Sequence, residues 1–391
     1  MKKIIVVVLL LGLLGASLFA QNGFTVNGKL RTRMALFNGI GDGAPSNSWV
    51  DSRLRMKFAN SFNENAKMVW QVEVGDLKWG TSPSADLGND GINVETKHAY
   101  MQFKCPNLPI NATIGLQAWY DHDSLVLDDD FPAMMFSTKV RNFDLQFGTA
   151  KLEENDIAKD DDLDLFFLNF ARGKTFGMQN IIERSNGGDN LDMWFMPYYS
   201  LNMNALSLDL KAAYNLGSYK DAAADGSDIT NGGYAFALKA KYKTVANIGF
   251  DFLYTSGDDG SDAESTTIFN TISEYYVNGL EIFGQGVNDS VQQGWNGPGN
   301  GDLGLISAVL TASYPLSYMD VNAAVGVVNS VEDNENGETA MGTEFDLGLS
   351  KKLDKNVEFK LVGAYAIPGD GYFGDDVDNF YELSSFLRYS F

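Results

Sequence analysis

From Phe24 to Phe37 the chain reads FTVNGKLRTRMALF, and apolar and polar residues take turns. Val26, Leu30, Met34 and Leu36 fall on one face; Asn27, Lys29, Arg31 and Arg33 fall on the other. Successive side chains of an extended chain point to opposite sides, so a period of two predicts a strand with one apolar and one polar face. The pattern returns where Leu54, Met56 and Phe58 alternate with Arg53, Arg55 and Lys57. It returns where Met68, Trp70, Val72 and Val74 alternate with Lys67, Gln71 and Glu73, and along Ile110, Ala112, Ile114, Leu116 and Ala118. Further strands are predicted over 203–216, 232–244, 246–256, 303–315, 318–330, 340–352 and 356–367. Helical spacing with capping residues is nearly absent.

The connections fall into two kinds. Tight ones lie at Phe62–Glu64, Pro106–Leu108, Arg141–Asn142, Asn202–Asn204, Thr244–Ala246, Tyr314–Ser317 and Asp354–Asn356. Long ones, acidic and rich in Gly and Asn, lie at 38–50, 79–91, 121–131, 151–161, 217–231, 257–302, 331–339 and 368–379. Short and long alternate along the chain. Short turns at one rim and long loops at the other characterise an up-and-down antiparallel β-barrel that crosses an outer membrane. A soluble sandwich does not sort its loops this way. The fold class is therefore all-β, a transmembrane barrel. Both termini at the short-turn rim require an even number of strands. Counting Leu163–Ala171 and Lys174–Glu183 as a pair gives 18; reading 151–189 as one loop gives 16; 18 is favoured.

The two ends support the same reading. Residues 1–20, MKKIIVVVLLLGLLGASLFA, set Lys2 and Lys3 before an apolar run and close on small residues, the pattern of a secretory signal peptide. Cleavage after Ala20 would leave 21–391 as a single barrel domain. The last residues are FYELSSFLRYSF, with Tyr381, Leu383, Leu387, Tyr389 and Phe391 on one face. A terminal Phe closing an alternating strand resembles the C-terminal signature of bacterial outer-membrane barrels, which the insertion machinery reads. Over its whole mature length the chain looks like a bacterial outer-membrane porin of the general diffusion type. That resemblance is architectural, and the Pro-Glu-Phe-Gly-Gly motif of some constriction loops is absent. It implies a homotrimer in the outer membrane, surrounded by lipid, with a third loop folded into the barrel.

Composition changes the picture at three points. The chain carries 29 Lys and Arg against 51 Asp and Glu, a net charge of -22, which disfavours nucleic acid as a partner. Removing Lys2 and Lys3 with the leader takes the balance to -24. A hydrophobic fraction of 45% argues against disorder, while the mean hydropathy, slightly below zero, excludes a helical membrane protein. A single cysteine, Cys105, permits no internal disulfide. Neither His98 nor His122 is placed beside a nucleophilic serine, so no catalytic set emerges and the chain is not read as an enzyme.

The apolar face must meet lipid, because Lys or Arg there costs about 2–4 kcal/mol at the midplane. The polar face then lines a lumen too wide for side chains to fill, and a water-filled tube conducts small hydrophilic solutes and ions. Aromatics at Phe24, Phe37, Trp70, Trp79, Tyr100, Phe103, Trp119, Tyr120, Tyr365 and Tyr381 suit interfacial girdles. Lys29, Arg31 and Arg33 share the lumen face with Arg53, Arg55 and Lys57, on strands about 5 Å apart. Like charges so close need an offset. Asp121, Asp123, Asp128, Asp129 and Asp130, in the loop that the resemblance folds inwards, are the expected counter-charge, giving a constriction with a transverse field. The alternative is a solvated wall and an acidic surface loop. Acidic loops at 258–262, 332–335 and 370–378 could hold Ca2+ or Mg2+, but solvated loops are favoured, and no cofactor is expected. The acidic mouths predict a mild cation preference that salt weakens. Two other functions stay open: a substrate-specific channel, for example for oligosaccharides, and an adhesin-type barrel using the long loop 257–302.

Overall fold

A computed structural model describes residues 23–40, 44–81, 85, 94–154, 162–185, 189–223, 225–286, 297–375 and 377–391. The leader at 1–20 and its cleavage point lie outside the described residues. Thirteen strands come first: β1 (Phe24–Phe37), β2 (Asn47–Asn63), β3 (Ala66–Lys78), β4 (Glu95–Lys104), β5 (Ile110–Tyr120), β6 (Asp128–Val140), β7 (Phe143–Glu153), β8 (Leu163–Arg172), β9 (Phe176–Ser185), β10 (Asn190–Met203), β11 (Leu206–Tyr219), β12 (Ile229–Lys243) and β13 (Asn247–Thr255). The two-residue β14 (Ser265–Thr266) lies within a loop and runs parallel to β12. Then follow β15 (Leu305–Pro315), β16 (Asp320–Asn329), β17 (Ala340–Asp354), β18 (Val357–Pro368) and β19 (Phe380–Ser390).

Apart from β14, each strand pairs antiparallel with its neighbours in sequence, β13 joining β15 directly. The last strand returns to the first, with Leu30 opposite Tyr389 and Leu36 opposite Leu383. The barrel is thus closed with 18 strands. Closure leaves no edge, which lipid requires because it offers no partner to a backbone N–H or C=O. The segment 151–189 holds β8 and β9 rather than one loop, which settles 18 over 16. The turn between them, at 173–175, is as short as the other lower turns.

Period-two alternation sorts the faces. Leu30, Met34, Trp70, Met101, Met134, Phe166, Phe236, Leu310, Phe345 and Leu387 point outwards and are exposed, as a lipid face must be. Tyr120, Trp79, Tyr314, Tyr365 and Tyr381 are exposed near strand ends, where a girdle belongs. Two of the expected girdle residues turn inwards instead. Trp119 is buried in the lumen, packed on Phe167 with ring centroids 4.7 Å apart and donating to Gln146 at 3.1 Å. Tyr100 lies beside His98, which bonds to lumenal Asp130. Both sit on the polar parity of their strands, so parity outranks residue type.

The seam is locked by the terminus. Gly28 and Phe391 exchange backbone hydrogen bonds of 2.9 and 3.0 Å, and the Phe391 ring lies over Gly28. A Cβ on Gly28 would come within 2.6 Å of that ring and 2.7 Å of the Arg55 carbonyl. Gly28→Val should therefore displace the terminal residue and destabilise the closed barrel by about 1–3 kcal/mol. A lower urea midpoint for loss of heat-modifiable gel mobility would register it, and an unchanged midpoint would refute the packing account.

Candidate functional site

The basic wall forms as the alternation predicts. Lys29 stands opposite Arg55, Arg31 opposite Arg53 and Asn27 opposite Lys57. Closure adds what lay at the far end of the chain: Arg388 on β19 stands opposite Arg31 on its other side. Arg53, Arg31 and Arg388 thus lie abreast on β2, β1 and β19. Lys360 on β18 stands opposite Phe386 and holds its ammonium 5.3 Å from that ring. Arg388 and Lys360 extend the ladder round the seam. Their parity was readable, but their adjacency to β1 depends on closure.

The charges opposing this ladder come from neighbouring strands. Arg33 makes a bidentate contact with Asp51, Nε to both oxygens at 3.1 and 3.2 Å, with both side chains buried. The Arg33 guanidinium also lies 5.1 Å from the Trp49 ring. Arg55 pairs with Glu73, and Arg388 with Glu358. Asp76 bonds to Arg31 at 2.5 Å and lies 3.6 Å from Arg33 and 3.5 Å from Arg53. Like charges side by side are tolerable when carboxylates alternate with them. Among the described residues no ion pair joins the ladder to Asp121, Asp123, Asp128, Asp129 or Asp130.

Of those five aspartates, Asp121 and Asp123 lie in the inturned loop, while Asp128, Asp129 and Asp130 open β6. The chain reverses at Asp123 and Ser124, both with positive φ, 65° and 54°. Asp121 accepts the amides of Leu125, Val126 and Leu127 at 3.0, 2.7 and 2.7 Å. Lys211 of β11 donates to Asp121 and to the His122 carbonyl, and both charged side chains are 0% exposed. Because β5 and β11 are separate staves of the barrel, this contact carries loop 121–127 into the lumen, as the resemblance implied. His122 stacks on Tyr198 at 4.2 Å, and its amide donates to Gln179 at 2.6 Å. Asp123 lies 3.5 Å from Lys239. Asp128 accepts from Ser124, Asp129 from Ser273 at 2.9 Å, and Asp130 pairs with His98 and Lys97.

The described part of the long connection 256–304 also folds inwards, a placement that composition did not reveal. Its Asn270 carbonyl accepts from Trp194, and Tyr276 donates to Asp251 at 3.0 Å beneath the Lys239 ammonium. Glu344 on β17 accepts the amides of Glu281, Ile282 and Phe283 at 2.9, 2.7 and 2.6 Å. Glycines make the seat: a Cβ at Gly326 would meet Leu280 at 2.9 Å, and one at Gly342 would meet Phe283 at the same distance. Leu127 bridges Ser273, so the two inturned loops support one another. Among the described residues their hydrogen bonds reach β6, β9–β13, β17 and β19, and none reaches β1, β2 or β3. Below loop 256–304 lies a chamber of about 590 Å³ lined by Ser207, Lys241, Asn247, Thr311, Asn322 and Lys360.

The acidic loop at 258–262 satisfies itself. Asp258 accepts from Gly260 and Thr267, Asp259 from Ser261, and Asp262 from Glu264 and Ser265. Among the described residues no three His, Cys, Asp or Glu converge to hold a metal ion. Cys105 is a free, half-buried thiol.

No family model and no curated protein matches this chain. Solved structures do. OccK2 (OpdF) of Pseudomonas aeruginosa, solved in complex with glucuronate, superposes with a TM-score of 0.58 at 12% identity, over 94% of this chain and 98% of that one. OpdK of the same organism with vanillate gives 0.56 at 11%, with the same coverage. A BenF-like porin from Pseudomonas fluorescens Pf-5 gives 0.59 at 10%, again over 94% and 98%. The chain has the fold of bacterial outer-membrane porins. A closed porin barrel with an apolar outer band is a protein of the bacterial outer membrane.

Two outcomes follow for the barrel's inner loops. Asp121→Ala strands the buried Lys211 ammonium, so it should cost about 3–5 kcal/mol. Urea unfolding with the Asp121→Ala/Lys211→Met double variant, which should recover part of that loss, checks it. Burial, the largest cause, pushes the His122 imidazole below its usual value, outweighing neighbouring Asp123. A folded-state value below the unfolded one means that stability is present above the unfolded value, near 6.5, and is lost as pH falls through the folded value. The urea midpoint should therefore fall on acidification below that range, and His122→Gln should remove this component.

Proposed function

We propose that this chain is a passive outer-membrane channel for small hydrophilic anions, carboxylates in particular. The observation that carries the reading is the ladder of Lys29, Arg31, Arg33, Arg53, Arg55, Lys57, Arg388 and Lys360 along the lumen sector that the described inturned loops leave open. Guanidinium groups match carboxylates by bidentate hydrogen bonds, and a row of them lets an anion pass from one to the next. Support of a second kind comes from the similar structures solved with glucuronate and with vanillate, both carboxylates. The reading favours a substrate-selective channel over an unrestricted diffusion pore. An adhesin gains less from loop 256–304, whose described part turns into the barrel. A transport role leaves no step for an enzyme.

The mouths act in series with the ladder. A mature net charge of -24 enriches cations near the rims, so small inorganic ions would pass with a mild preference for cations that salt screens. Carboxylates would bind within, at the ladder. The trimer follows the porin resemblance, and Phe391 at the seam is the group offered to the insertion machinery.

Planar-bilayer recording of the purified protein tests this. Potassium should be modestly favoured over chloride at low salt and less so at high salt. Glucuronate or benzoate should block chloride current saturably. Neutralising Arg31, Arg33, Arg53 and Arg55 together should abolish the block. An unblocked wild-type current, or a block that survives neutralisation, would sink the carboxylate reading.

A further inference from the structure

Among the described residues, Asp76 is the one ladder partner that the alternation of its own strand does not deliver. Met68, Trp70, Val72 and Val74 put even-numbered residues of β3 on the lipid face, and extended without a break that parity would send Asp76 into lipid. The structure breaks it. Ser52 stands opposite Leu77, yet Leu54 stands opposite Val74, so Arg53 faces both Gly75 and Asp76 across a β-bulge. The extra residue turns Leu77 outwards, beside Ser52, and Asp76 inwards. Asp76 takes φ 29°, in the left-handed region that a side chain with a Cβ enters at a cost. Glycine immediately before it is the usual sign of such a bulge.

The bulge delivers a carboxylate to the middle of the ladder. One oxygen of Asp76 lies 2.5 Å from Arg31 and 3.6 Å from Arg33; the other lies 3.5 Å from Arg53. Unlike Asp51, which is buried against Arg33, the Asp76 side chain is half exposed to the lumen. A carboxylate held by three guanidinium groups and open to water has the chemistry of a bound permeant.

We propose that Asp76 is a selectivity-determining residue that occupies, as a tethered internal anion, the seat through which permeant carboxylates pass. This rests on the anion route proposed above. A permeant binds only in the fraction of time that Asp76 has swung off the guanidiniums, so its apparent affinity is reduced by that fraction. The tethered charge keeps binding weak enough for release, which conduction needs. It also lowers the positive potential of the ladder, and so holds down chloride permeation.

The test is bilayer recording of wild type, Asp76→Asn, Asp76→Ser and Asp76→Glu, with benzoate as the probe and heat-modifiable gel mobility as the check on folding. Asp76→Asn should lower the potassium-to-chloride permeability ratio about threefold. It should tighten the apparent benzoate constant about tenfold. Asp76→Ser should move both the same way, and Asp76→Glu should stay near wild type. Unchanged ratios and constants in folded Asn and Ser variants would overturn the proposal. So would a weaker benzoate block, which would make Asp76 a mere positioner of the arginines, and so would failure of both variants to fold. A wild type that benzoate never blocks would sink the carboxylate route, while the permeability ratio would still decide the role of Asp76.

Discussion

Lipid offers no hydrogen bond to a backbone N–H or C=O, and this constraint organises the whole chain. It forces the sheet to close, and closure brings β19 against β1 in a fixed register, Arg31 beside Arg388 and Gly28 beside Phe391. Closure also gives every strand an inside and an outside. The outside must be apolar, so the polar and charged residues of each strand accumulate in one lumen. The ladder is a consequence of that sorting together with a local concentration of basic residues on β1 and β2.

Inside, a second constraint takes over. Charges that share a lumen must be offset, and the chain does so at short range and in two ways. Along the wall, Asp51, Glu73, Asp76 and Glu358 interleave with the arginines. Across the lumen, Asp121 and Lys211 form a buried pair that is strongly destabilised if either member is lost. The first arrangement buries Asp51 against Arg33 but leaves Asp76 half exposed to the lumen. The second excludes water and fixes loop 121–127, which in turn braces loop 256–304 through the Leu127–Ser273 bridge. The wall pairs and the loop anchor thus use the same chemistry at different depths of burial.

Much of the architecture was legible before any coordinates. The strands, their faces and the alternation of short turns with long loops follow from a period of two, and the even strand count was narrowed to 18, favoured, or 16. The inward direction of the six expected basic residues follows from the same rule. Among the described residues the carboxylates that contact the ladder come from the wall, and one of them was hidden: an acidic loop is conspicuous in a sequence, while a single Asp76 on the apparent lipid parity is not. The one-residue shift at Gly75 carried the missing information. Trp119 shows the converse: its residue type suggested a girdle, and its parity, correctly followed, put it in the lumen.

The sequence by itself determined that this is a closed, lipid-embedded barrel with a basic stripe, because alternation is a local property that each strand carries independently. Tertiary structure alone decided how the lumen is partitioned. Which strands meet at the seam, where β3 slips by one residue, and that loop 256–304 seats on Gly326, Gly342 and Glu344 depend on contacts between segments far apart in the chain. Such contacts leave no period behind them. Glycines and single carboxylates read alike whether they face water, lipid or a loop that has folded back to meet them.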